Sequence, residues 1–123
     1  MANEITVNAR LQVTKTYLKT DENPGSLNVT MTGNNVAGGV QVVGTGAHEA
    51  LSDVSDIGTP GWAYFRNLDS ANFVEVGRDS GGTFVPFAKL LFGEFAIAPL
   101  SSDAIYAKAD TASVRLYWRI FER

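Results

Sequence analysis

The sequence contains no cysteine and only one histidine, His48, among its 123 residues. Without cysteine, the chain can form neither disulfide bonds nor thiolate metal sites, and it has no cysteine nucleophile. A single imidazole cannot build the paired-histidine sites that commonly hold a transition metal. These absences leave few routes to catalysis, and we expect no enzymatic activity, no cofactor and no metal site.

The chain also lacks an excess of positive charge and any long hydrophobic run. Ten lysines and arginines against thirteen aspartates and glutamates give a formal net charge of −3, which argues against nucleic acid as a partner. No apolar run approaches the ~20 residues that a membrane span needs, and the first residues lack a signal-peptide pattern. We therefore expect no membrane partner, and we expect synthesis in the cytoplasm.

The pattern of hydrophobic residues indicates β-structure throughout the chain. Residues 5–13 alternate between apolar and polar side chains, a period of two that predicts a long, half-buried first strand. Similar short runs between turn residues predict about eight or nine strands. Because no helical pattern is long enough to cover a sheet, the second layer must be another sheet. We predict a single all-β domain over residues 1–123, an antiparallel β-sandwich with a jelly-roll-like topology.

Three local patterns give more specific predictions. Residues 62–68 and 72–76 flank a short polar loop and predict a β-hairpin. Pro86 removes a backbone donor, which predicts a strand at a sheet edge or with a bulge. Residues 47–56 are the one place where a helical turn fits, although Ser52 and Asp53 suggest a loop as readily.

One short motif resembles a protease active site. Residues 79–82, Asp-Ser-Gly-Gly, copy the end of the motif around the nucleophile of chymotrypsin-like proteases, and His48, Asp53 or Asp56, and Ser80 follow that family's order. An enzyme would need Ser80 or the two aspartates in a cleft with a partner, together with an oxyanion hole. Arginine replaces the glycine before the motif, and the chain is about half the required length. We interpret the motif as a hairpin loop and His48 as a solvated loop residue.

Two further motifs suggest ligand sites that the spacing does not support. Residues 42–49 resemble the opening of a dinucleotide fingerprint, but Glu49 stands where the third glycine belongs and would repel a pyrophosphate. Residues 21–23, with Asp53 and Asp56, could supply oxygen ligands for calcium, but the first cluster lacks the spacing of a calcium loop. We interpret these acids as solvated turn residues.

The last strand carries two different rows of side chains. The even-numbered row is Val114, Leu116, Trp118 and Ile120, and the odd-numbered row is Arg115, Tyr117, Arg119, Phe121 and Arg123. The first row is apolar and predicts a core face. The second alternates arginine with aromatic residues, a composition enriched at protein interfaces. We predict that it contacts another protein, with a solvent face or stacking on single-stranded bases as alternatives.

Aromatic residues elsewhere point in the same direction. Eight of them lie within residues 62–76 and 84–97, and a small sandwich cannot bury every large ring. We expect Tyr64 to stay on an exposed face and to contribute to the interface. An alternative function is a carbohydrate-binding sandwich, in which Trp62 and Tyr64 would form an exposed platform for sugar rings.

Residues 62–77, WAYFRNLDSANFVEVG, resemble a segment of small virion structural proteins of tailed bacteriophages. Residues 84–94, with the KL-x-x-GE turn, and residues 105–116, with the YAKA strand, are also similar to segments of these proteins. The resemblance spans residues 62–116, a little under half of the chain. Its polar positions, Asn67, Asp69 and Asn72, fit a tight corner, and Gly93-Glu94 fits another.

The resemblance implies a non-enzymatic particle protein located in the virion. It would be a head decoration (cement) protein, or alternatively a head–tail or tail component. Its partners would be further copies of itself, major capsid or tail proteins, or both. For such an assembly we expect the first and last strands to extend a neighbour's sheet by edge pairing, with at least one terminal strand at an inter-chain interface.

Overall fold

The computed structural model describes residues 3–52 and 54–123 and divides the chain into two compact units, Met1–Thr32 and Gly33–Arg123. The described residues contain strands, turns and bends but no helix, which confirms the all-β prediction. The search for a membrane-crossing helix finds none in this part of the chain. The strands are β1 (Ile5–Asn8), β2 (Leu11–Lys15), β3 (Leu18–Glu22), β4 (Ser26–Val29), β5 (Val36–Val43), β6 (Glu49–Ala50), β7 (Pro60–Asn67), β8 (Val74–Ser80), β9 (Thr83–Leu90), β10 (Phe95–Pro99), β11 (Tyr106–Ala109) and β12 (Val114–Glu122).

The first unit is a two-stranded antiparallel structure, and we call residues 3–32 the ribbon. Strand β1 pairs with β4 and β2 pairs with β3, so the chain runs outward, turns, and returns beside itself. The turn uses Thr16 at a positive φ of 49°, and Gly25 takes a φ of 82° where the returning strand is interrupted. No described residue of the ribbon is buried.

The second unit consists of two four-stranded antiparallel sheets. Sheet I has the order β10-β7-β12-β5, and sheet II has the order β6-β11-β8-β9. Successive strands mostly alternate between the sheets, and the two strand orders are those of an eight-stranded jelly roll. The predicted antiparallel sandwich of jelly-roll type is therefore confirmed for this unit.

The core lies between these sheets. The even-numbered row of β12 is at most 1% exposed at every position, as predicted. Phe65 on β7 and Val76 on β8 belong to the same cluster of buried side chains. Each buried side chain of this size contributes roughly 1.5–3 kcal/mol, so the row on β12 is a large part of the stability.

Several sequence-based expectations are wrong in detail. The described residues form twelve strands rather than eight or nine. The expected long first strand breaks into β1 and β2, and both β3 and β6 lie where no strand was predicted. No helical turn occurs within the described part of residues 47–56, where Glu49 and Ala50 form β6. The prediction of one domain over residues 1–123 stays a prediction beside the division into two units.

The predicted hairpin of residues 62–68 and 72–76 is also wrong. Strand β7 pairs with β12 and β10 in sheet I, whereas β8 pairs with β11 and β9 in sheet II. A short polar turn between two strands can close a hairpin or carry the chain to the facing sheet, and local sequence does not distinguish these outcomes. The prediction for Pro86 is confirmed, since β9 is an edge strand and its register with β8 shifts beside this proline.

Candidate protein-interaction surface

The predicted interface residues of the last strand lie together on sheet I. Strand pairing places Arg119 directly opposite Tyr64, and Tyr117 directly opposite Arg66. Directly paired residues project from the same face of a sheet, so Tyr64 joins the odd-numbered row of β12 as expected. Arg123 follows the end of β12, and its backbone N–H donates to the carbonyl oxygen of Thr59 at 2.9 Å.

Neighbouring strands extend this surface in both directions. The outward-facing large side chains, which together we call the outer face of sheet I, are Val36, Val40, Val42, Tyr64, Arg66, Phe95, Ile97, Arg115, Tyr117, Arg119 and Phe121. Its six apolar members other than tyrosine are between 36% and 61% exposed. Sequence reasoning missed the contribution of β5 and β10, because their position beside β12 and β7 depends on pairing between residues far apart in the chain.

The outer face of sheet I carries an excess of positive charge, although the carboxylate of Asp69, in the turn after β7, lies close enough to Arg115 for their charges to attract. Three arginines lie among its described residues, and none of its members is an aspartate or glutamate. Guanidinium groups are more weakly hydrated than ammonium groups and form paired hydrogen bonds with carboxylates. This surface therefore suits a partner that offers both apolar area and carboxylates.

The aromatic side chains of the face contact one another and one of the arginines. Arg119 Nε donates to the hydroxyl of Tyr117 at 3.1 Å, and its guanidinium lies 5.6 Å from that ring's centroid. The Tyr117 ring meets Tyr64 edge-on with centroids 6.0 Å apart, and Tyr64 lies 6.2 Å from Phe95. These contacts restrict the rotamers of the row, which reduces the entropy that a partner must remove on binding.

Edge pairing by the last strand is ruled out by its position. Strand β12 lies between β5 and β7, and both of its sides are occupied by antiparallel partners. The open edges of sheet I belong to β5 and β10 instead. The expectation that the last strand extends a neighbour's sheet is therefore wrong, and its side chains, not its backbone, are what it offers to a partner. In the ribbon, β1 has a single paired neighbour, β4, so edge pairing there stays a prediction.

The two predicted polar corners meet at the buried side chain of Asn67. Its amide nitrogen donates to the carbonyl oxygens of Asn72 at 2.8 Å and Leu90 at 2.9 Å, and its amide oxygen accepts from the Asp69 N–H at 2.7 Å. The backbone N–H of Gly93 donates to the Asn67 carbonyl at 3.2 Å. Asn67 thereby holds together the crossing from sheet I to sheet II and the turn between β9 and β10.

Carboxylates complete both corners. Asp69 Oδ2 accepts from the N–H groups of Asn72 at 2.6 Å and Ala71 at 3.0 Å, and these bonds lower the pKa of Asp69. In the second corner, Glu94 Oε1 accepts from the Leu91 N–H at 2.8 Å. The polar residues of both corners thus have structural roles in this fold.

His48 is not a solvated loop residue. Its Nε2 lies 2.5 Å from Asp79 Oδ1, and its half-buried ring stacks on Phe84 and meets Tyr106 edge-on, each with centroids 5.3 Å apart. The hydrogen bond with His48, followed by one from the Gly82 N–H, lowers the pKa of Asp79. The sequence analysis considered only Asp53 and Asp56 as partners of His48, so it missed the pair with Asp79.

The protease-like arrangement is not assembled in the described residues. Ser80 ends β8 and pairs with Thr83 across the turn, as the hairpin-loop interpretation predicts. The carboxylate beside His48 is that of Asp79. Asp56 accepts a hydrogen bond from Asn35 Nδ2 at 2.8 Å through its backbone carbonyl oxygen. Asp53 lies outside the described residues.

The other proposed ligand motifs have local structural roles. Glu49 Oε2 accepts from the Gly44 N–H at 2.5 Å, so the nucleotide-like segment closes on itself between two strands. Asp21 and Glu22 belong to β3 rather than to a turn, and Asp21 forms two hydrogen bonds with Arg10, at 2.7 and 2.9 Å. Within residues 3–52 and 54–123, no group of three or more side chains is arranged to hold a metal ion.

The two aromatic side chains of the carbohydrate-binding alternative, Trp62 and Tyr64, are half-buried rather than fully exposed, and the alternative stays a prediction. Trp62 is half-buried, and its indole Nε1 is buried without a hydrogen-bond partner. Tyr64 is also half-buried, within the aromatic row of sheet I. A sugar ring would need at least one open aromatic face at this position, and neither side chain is fully exposed.

Comparison with known proteins returns no match: no protein-family model, curated protein or solved structure is similar to this chain.

Proposed function

We propose that this chain is a non-enzymatic structural protein of a tailed-bacteriophage virion that acts by protein–protein contact. Its position would be that of a capsid decoration or cement protein, with a tail or head–tail position as the alternative. The observation that carries the proposal is the outer face of sheet I, which combines exposed apolar side chains with arginines and no carboxylate. Such surfaces on small proteins mark interaction sites.

The size of this face favours a contact that is repeated many times. Four strands of five to nine residues, spaced ~4.8 Å apart with ~3.3 Å per residue, give a footprint of roughly 500 Å². Stable isolated complexes bury about 800 Å² per partner, so one such contact is modest. Repetition by symmetry on a lattice turns modest contacts into strong attachment, which is how a decorating protein would be held.

The fold is compatible with this role without selecting it. Jelly rolls occur in viral capsid proteins and also in lectins and cupins, so the topology alone does not determine function. The resemblance of residues 62–116 to virion proteins, together with the outer face of sheet I, favours the particle among these possibilities.

The proposal is tested by purifying particles from cells that carry the gene and measuring the chain in them by mass spectrometry. We expect the chain to co-purify with particles at a fixed ratio. A copy number close to that of the major capsid protein supports decoration, and a far smaller number supports a tail or head–tail position. Recovery only in the particle-free fraction would contradict the proposal.

A charge reversal identifies the surface that is used. Arg119→Glu changes a half-buried, outward-facing residue on an inner strand of sheet I, and Lys108→Glu makes the same change on an inner strand of sheet II. We expect Arg119→Glu to lower particle binding by about tenfold or more, which corresponds to ~1.4 kcal/mol, with little change for Lys108→Glu. Equal losses for both variants would show that the outer face of sheet I is not the contact surface.

A further inference from the structure

The apolar side chains of the ribbon's described strands are half-buried or exposed, and none of them is fully buried. Ile5 is paired with Val29, and Val7 with Leu27, so these four side chains lie on one face of β1 and β4. Further along, Leu11, Val13 and Leu18 lie on one face of β2 and β3. Leu11 is 64% exposed and Leu18 is 57% exposed.

A structure of this kind needs a covering surface. An isolated two-stranded hairpin is marginally stable at best in water, because it cannot bury enough apolar area to offset the entropy of ordering its backbone. The Arg10–Asp21 pair, with both side chains about half exposed, adds little to its stability. The apolar side chains of the ribbon are therefore the part of it that a partner would stabilise most.

The outer face of sheet I cannot cover itself with a symmetric copy. In a two-fold dimer through this face, each partner would bring Arg66, Arg115 and Arg119 to the same interface. The four guanidinium groups of Arg66 and Arg119 would then be desolvated without a carboxylate on either face to pair with them, an arrangement that opposes binding. An occupant that is mainly apolar and carries a carboxylate fits better.

The ribbon offers such a carboxylate on its apolar face. Glu22 is directly opposite Leu11 in the pairing of β2 with β3, and no hydrogen bond or ion pair engages its side chain in the described structure. The other carboxylates of the ribbon are engaged, since Asp21 pairs with Arg10 and Glu4 accepts from the Met31 N–H at 3.1 Å. The ammonium group that shares this face, that of Lys15, lies at the tip beside Leu18.

We propose that the ribbon of one copy packs on the outer face of sheet I of a second copy. Its leucines and valines would cover the exposed valines and aromatic side chains, and Glu22 would pair with one of the three arginines. The contact joins two different surfaces, so repetition gives closed rings or continuing lattices rather than simple dimers. This inference rests on the proposed function and names the second copy as the partner at that surface.

The absence of cysteine allows a direct test by cross-linking. Leu11→Cys and Val40→Cys are made in separate full-length chains, both at exposed positions, mixed, and treated with a short bis-maleimide. We expect a covalent dimer that contains one chain of each kind. Lys108→Cys on the outer face of sheet II replaces Val40→Cys as the matched control, and we expect at least tenfold less product from it.

Glu22→Arg, introduced into the Leu11→Cys chain, tests the charge pairing and should lower the cross-link yield severalfold. Light scattering on the unmodified chain gives its oligomeric state in parallel. Oligomers without the Leu11–Val40 product, or with equal product in the control, would overturn the ribbon contact and leave the proposed function standing. A chain that stays monomeric and gives no cross-linked product would overturn it as well. The proposed function is tested separately, by measuring whether the chain co-purifies with particles.

Discussion

The two outer faces of the sandwich differ in how their charges are arranged. On sheet II, Glu75 is directly opposite Lys108 on one side and Lys89 on the other, so opposite charges alternate across the strands. On sheet I, arginines lie among valines and aromatic side chains without a carboxylate. The first arrangement is stable in water without a partner, whereas the second leaves apolar area and charge unmatched. The difference teaches that the two sheets of one fold can carry outer faces of different character, and our proposal assigns assembly to that of sheet I.

The largest loss of stability is expected at Asn67, whose side chain holds the crossing between the two sheets. Asn67→Ala removes the hydrogen bonds that hold the crossing between the sheets and leaves the Leu90 carbonyl and the Asp69 N–H without this partner. We expect a loss of about 3 kcal/mol in the free energy of unfolding, measured by urea denaturation. Ser70→Ala, an exposed change in the same corner, should cost less than ~0.5 kcal/mol. Similar values for the two variants would show that the corner does not join the sheets as described.

A smaller effect, confined to the end of sheet II, is expected from its histidine–aspartate pair. Because hydrogen bonds from His48 and the Gly82 N–H lower the pKa of Asp79, this carboxylate stabilises the fold at pH values above its unfolded pKa of ~3.9. The contribution is lost as the pH falls through the lower, folded value. We expect Asp79→Asn to lower the melting temperature at pH 6 and to flatten its decline in acid.

Thermal unfolding from pH 6 down to pH 3 checks this expectation. Asp110→Asn, an exposed carboxyl in the loop after β11, provides the control and should follow the unmodified chain. An Asp79→Asn curve parallel to that of the unmodified chain would rule out a role for the pair in acid stability.

The smallest loss of stability is expected from a substitution that gives the outer face of sheet II an excess of positive charge, as on sheet I. Glu75→Lys places three lysines side by side across β11, β8 and β9. We expect about 0.5 kcal/mol of destabilisation from repulsion between like charges, measured by urea denaturation at low salt and reduced at high salt. Particle binding should not change. A new association through sheet II would mean that clustered positive charge is enough to create an interface there.

The sequence predicts the inside of this fold better than its connections. The alternation of apolar and polar residues along β12 correctly separated core positions such as Trp118 from outward positions such as Arg119. It does so because successive side chains of a strand point to opposite faces of the sheet. Pro86 indicated an edge or a bulge for an equally local reason, the missing N–H. The crossing after Asn67 was predicted as a hairpin, since the same turn residues serve both connections.

The surface was predicted only in part, for a related reason. Tyr64 and the odd-numbered row of β12 are visible in the sequence, but Val40 and Phe95 join them only through pairing with β12 and β7. His48 and Asp79 are 31 residues apart and meet because β6 and β8 both flank β11. Such long-range neighbours follow from topology, which a single sequence does not reveal.

The central place of β12 in sheet I has a consequence for biosynthesis. Of the eight sandwich strands, this one is made last, yet it separates β5 from β7 and supplies the largest side chains of the interior. A nascent polypeptide on the ribosome therefore cannot complete sheet I until residues 114–122 have emerged. An unfinished chain consequently lacks both the central strand of sheet I and the outward side chains that this strand contributes to its surface.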